Sequence, residues 1–129
     1  MSPRSAADDA GSAVVGFVLV SLLTTVVFLG VLQVALALHV RATLVDCAAE
    51  GARYGALADR TAADGAARTR ELVAMSLSPR FAEDVEGSRA VVQGLDVVRV
   101  EVSAPLPVLG LLGPGGVLSV DGHALAEGP

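Results

Sequence analysis

The chain has no Lys and no Trp, a single Cys (Cys47), one Tyr and two His. One cysteine excludes an internal disulfide framework and a Cys-rich zinc site. There is no GxSxG, HExxH, Walker A loop, CxxC or dinucleotide fingerprint, so the chemistries those motifs serve have no carrier here. All nine basic residues are Arg, set against fourteen acids for a net charge of −5, and such a balance leaves no electrostatic footprint for nucleic acid. At 129 residues the chain is too short for a large enzyme fold, a full barrel or a doubly wound sheet.

What is present is one long apolar run. Residues 10–40 are 31 consecutive positions without Asp, Glu, Lys or Arg. Within it Ser12 to Leu38 spans 27 residues with one strongly polar side chain, Gln33. At 1.5 Å per residue such a helix reaches about 40 Å, against a hydrocarbon core of about 30 Å. The reading is a single transmembrane helix with the lipid bilayer as its surroundings, tilted or with its first turn among the headgroups. The alternative is a secretory signal ending near Ala37, which would release a secreted binding module. Against it, the apolar run is longer than a signal core and the preceding tail carries Asp8 and Asp9 beside Arg4. Arg4 on one side and Arg41 and Arg53 on the other leave the positive-inside rule without a decision on orientation. Gln33 can bond to another helix or locally.

Beyond Leu38 the fold class reads as α+β. The N-terminal helix continues through about 39–60 and the chain closes in a small antiparallel sheet. Ala48, Ala52 and Ala56 recur every four residues, as do Cys47, Gly51 and Gly55. The narrow face of small side chains lets another helix approach closely. Packing on the chain's own domain and packing on another molecule both remain open. Thr61 with Asp64 reads as a capping box opening a second helix over about 62–77, and Ser78-Pro79 stops it. Phe81 to Arg89 is polar and acidic and reads as a solvated loop, Glu83, Asp84 and Glu86 lacking the pattern of a calcium loop. A short strand is expected at 90–93. Val98, Val100 and Val102 alternate with Arg99, Glu101 and Ser103 in a strand at about 96–103. Ala104 to Pro107 is expected to end the pairing, Gly113 to Gly116 to turn, and 117–125 to form a further strand. Leu106 to Leu112 is a candidate contact surface.

No residue set points to catalysis, a cofactor or a metal. His39 sits at the expected water interface, and His123 reads as a surface residue of the last strand. Asp46 and Glu50 beside Cys47 would raise its pKa and oppose nucleophilic use.

Two stretches carry a family resemblance. Asp9-Ala10-Gly11-Ser12-Ala13-Val14-Val15-Gly16-Phe17-Val18-Leu19-Val20 opens the apolar segment, and Cys47-Ala48-Ala49-Glu50-Gly51-Ala52-Arg53-Tyr54-Gly55-Ala56 follows it. The pair resembles TadE/TadF-like proteins, minor pseudopilins of the Flp (Tad) type IVb pilus system. The closing VVRVEVSAPLPVLG also looks like the family's tail, so the likeness extends over about 9–126. It implies a short polar leader (1–11) on the cytoplasmic side, a membrane helix (12–38) and an extracytoplasmic α+β domain (39–129). It implies cleavage of the Gly11–Ser12 bond by a prepilin peptidase, with other pilus and Tad assembly proteins as partners, and no enzymatic activity, cofactor, nucleic acid or small-molecule substrate. Lateral packing would use Gly16, Ser21, Thr25 and Gly30, and docking the face that holds Ala48, Gly51, Ala52 and Gly55. Pilin-like helices usually carry a glutamate where this chain has Gly16, so the usual pairing of that carboxylate with a neighbour's terminal amine is closed to it.

Overall fold

The structure, a computed structural model, describes residues 4–106 and 116–128. The elements follow in the order α1 (Arg4–Gly55), α2 (Ala62–Ser76), a 3₁₀ turn (Pro79–Ala82), β1 (Asp84–Val92), β2 (Leu95–Pro105) and β3 (Val117–Leu125). This is an α+β chain. It divides into two units, one ending at Ala35 and one beginning at Leu36.

The first unit is helical throughout its described length. Its large side chains are exposed on every face, from Val14 and Phe17 to Phe28 and Val34. A helix apolar all round without a covering protein core is suited to lipid. The helix is long and apolar enough to cross a membrane once, and its most apolar stretch is exposed throughout. The Thr25 hydroxyl donates to the Ser21 carbonyl at 2.8 Å, which keeps a polar group bonded inside the segment.

In the second unit α1 changes character. Val40, Leu44, Cys47, Ala48 and Ala52 are buried, at the three- and four-residue spacing of a single helical stripe. α2 contributes Gly65, Ala66, Thr69 and Val73. The sheet has the order β1-β2-β3 and is antiparallel throughout. Its inward side chains include Val85, Val98, Val100, Val102, Ala104 and Val120. One core joins the two helices and the sheet.

Several boundaries differ from the sequence reading. The first helix ends at Gly55 rather than near Arg60. Just past that end the carbonyls take other donors: Ala56 O accepts from Glu127 N at 2.7 Å, and Leu57 O from Arg60 N at 3.0 Å in a tight turn. Those bonds replace further α-helical ones and bring the chain back into α2. At the other end, the helix begins at Arg4, so the expected leader shares its backbone from that residue on. α2 starts as expected, with both halves of the capping box present. It ends at Ser76, one residue short of Leu77, and Pro79 then begins the 3₁₀ turn.

The expected loop at 81–89 is largely strand. β1 begins at Asp84, where Val85 pairs with Val102 and Gly87 with Val100. The positions it places on the inner face are buried Val85, half-buried Gly87 and exposed Arg89, so the sequence shows little apolar alternation; pairing with β2 supplies the missing drive. β2 is also longer than 96–103. Ala104 is buried, Pro105 pairs with Val117, and Leu106 N bonds to Gly116 O at 2.9 Å. A proline at the last position of a strand removes little from the ladder. β1 and β2 join through Gln93 and Gly94, at φ 53° and 80°, the two left-handed positions of a type I′ hairpin. The expected contact segment and glycine turn fall largely within 107–115, outside the described residues.

Candidate association surfaces

Gly11 and Ser12 lie in helical, exposed backbone of α1. A Cβ built on Gly11, Gly16 or Gly30 would meet nothing within 4 Å. Ser21 and Thr25 are exposed on the same helix and are linked by the back-bond described above.

Ala48, Gly51, Ala52 and Gly55 have a different setting. All four are buried in the second unit. A Cβ on Gly51 would overlap the Thr69 hydroxyl and stand 2.7 Å from the Gly65 carbonyl oxygen; on Gly55 it would stand 2.9 Å from the Thr61 carbonyl oxygen and 3.0 Å from the Gly65 Cα. The face does seat a helix closely, and that helix is α2 of the same chain. Thr69 is fully buried at the crossing, and its hydroxyl donates to Gly65 O at 2.9 Å with Cys47 O at 3.4 Å. On the sheet side, a Cβ on Gly122 would overlap the Ala48–Ala49 peptide of α1, and one on Gly87 would overlap the Ala62 carbonyl of α2. The last two close approaches carry no motif. Gly122 leaves one trace in the sequence, a glycine inside a run with strand alternation, and Gly87 leaves none.

Cys47 is buried in this core. Burial pushes its thiol up; a hydrogen bond with Ser76 pulls the other way and Asp46 adds to the rise. The direction agrees with the sequence reading, while the leading cause is burial. The thiol is therefore a packing group rather than a nucleophile.

Several surface charges are paired within the chain. Glu50 pairs with Arg53 at 3.2 Å and Arg68 with Glu71 at 3.3 Å. Glu50, Arg68 and Glu71 border a shallow groove between α1 and α2 that Tyr54 and Asp64 also line; Arg60 lies over the Tyr54 ring at 4.8 Å. On the outer sheet face Arg99 sits between Glu101 at 3.2 Å and Asp121 at 3.4 Å, and His123 faces the same Asp121 at 3.2 Å. His39 is exposed on α1. Among the described residues no set of His, Cys, Asp and Glu is grouped to hold a metal.

These features define a class: one exposed helix apt to cross a membrane, leading into a small α+β domain in which, among the described residues, no buried side-chain polar atom lacks a hydrogen-bond partner. Residues 11–53 match the family model described as TadE-like protein, so the chain carries a TadE-like region comprising the apolar helix and the first part of the domain. No curated protein and no solved structure matches the chain significantly.

Proposed function

We propose that this chain is a membrane-anchored, minor pseudopilin-like component of a bacterial Tad (Flp) type IVb pilus or a related secretion apparatus, acting by association rather than catalysis. The observation that carries the proposal is the coincidence of the TadE-like match over 11–53 with the exposed apolar helix. TadE-like proteins are structural components of pilus assembly. In this reading the N-terminus is cytoplasmic, the α+β domain is extracytoplasmic, and a prepilin peptidase acts on Gly11–Ser12 as on a substrate. The bilayer and other pilus subunits are the partners. Gly16, Ser21, Thr25 and Gly30 provide the lateral helix contact, a role favoured by the open space around the two glycines. Ala48 to Gly55 serve the domain's own packing instead.

The test is fractionation of cells that make the apparatus, followed by terminal sequencing and co-purification. A detergent-extracted protein beginning at Ser12, isolated with other pilus components, is the expected result. Gly30→Leu lowers the yield of those components while the protein still inserts. A mature chain beginning at Leu38, or an intact chain in the aqueous fraction without detergent, overturns the proposal. Gly51→Leu is not a clean probe of association, because it breaks the α1–α2 crossing first.

A further inference from the structure

We draw no further inference here: the strongest candidate, the exposed apolar patch of Val92, Leu95 and Leu125 at the hairpin end of the sheet, carries nothing because nothing in the structure shows what covers it.

Discussion

A single methyl at Gly122 gives a stringent test of how the domain is assembled. The new Cβ in Gly122→Ala would overlap the Ala48–Ala49 peptide and stand 2.6 Å from the Ala48 carbonyl oxygen. These neighbours are backbone atoms of a helix, so no side chain can rotate away. Restoring ordinary contact requires β3 to lift from α1 by roughly 1 Å, which loosens the contacts of Val100, Val120 and Leu44 in the shared core. Overpacking of this kind costs about 1–3 kcal/mol, and rigid backbone neighbours put it at the upper end. Removing a strand glycine returns roughly 0.5–1 kcal/mol. The net loss is about 2 kcal/mol, or a fall of roughly 8–16 °C in midpoint for a domain of this size. Cys47, the chain's one thiol, is buried in that core and reports its opening. In detergent-solubilised protein, maleimide labelling of Cys47 should accelerate by more than tenfold in Gly122→Ala. In Gly30→Ala, where an added Cβ meets nothing within 4 Å, the rate should stay the same. Equal labelling rates and equal midpoints for wild type and Gly122→Ala would refute the close α1–β3 approach.

Other substitutions probe single elements. Thr61→Ala removes the side-chain half of the α2 cap, in which Asp64 N donates to Thr61 Oγ1 at 3.1 Å; thermal unfolding near neutral pH should show a loss of about 1 kcal/mol. The backbone N–H of Thr61, then its hydroxyl, hold the Asp64 carboxyl below the usual carboxylate range. With the folded pKa below the unfolded one, that contribution is present above the unfolded value and lost as pH falls through the folded one; Asp64→Asn should therefore differ from wild type at neutral pH and converge with it in strong acid, as read by midpoints across a pH series. Gln93 has a left-handed φ of 53°, so Gln93→Asn should raise stability by an amount on the order of 0.5 kcal/mol and the melting midpoint with it, and a lowered midpoint would argue against the type I′ turn. Leu44→Ala, at a fully buried position, should cost about 2–5 kcal/mol in denaturant unfolding of the domain.

The parts of the fold legible in the sequence are those where local chemistry and tertiary packing agree. The run from Ser12 to Leu38 excludes water by composition alone. Thr61 and Asp64 carry a capping signal three residues apart, and Val98, Val100 and Val102 state which face of β2 is buried. β1 was not legible, because its inward positions are Val85, Gly87 and Arg89 and its acids face outward; only the partner strand makes it a strand. The end of α1 was hidden for a related reason. Nothing between Gly55 and Arg60 forbids a helix, and the bond that competes comes from Glu127, far along the chain. For the candidate surfaces, the sequence identifies small side chains at 48, 51, 52 and 55 without naming the helix that uses them. Gly65 and Thr69 complete the α1–α2 crossing, and neither stands out until α2 is laid against α1.

The division of α1 therefore has a physical basis within the matched region itself. Up to Ala35 its large apolar side chains are exposed on all sides, the condition for a lipid-facing rod, whereas Leu36 already packs against the domain core. From Val40 onward one stripe shrinks to Ala and Gly, since two backbones must come within van der Waals contact of it: α2 at Gly51 and Gly55, and β3 at Ala48. A small-residue stripe in water and one in lipid look alike in sequence, yet they are under different constraints. In the domain, any added carbon collides with the chain's own backbone, so the stripe is already accounted for by folding. At Gly16 and Gly30 the same addition collides with nothing, and intrachain packing leaves their small size unexplained. Under the proposed function, association with other subunits is best sought along the apolar helix, where substitutions leave the domain's packing intact, rather than along the Ala/Gly face that the chain's own fold already covers.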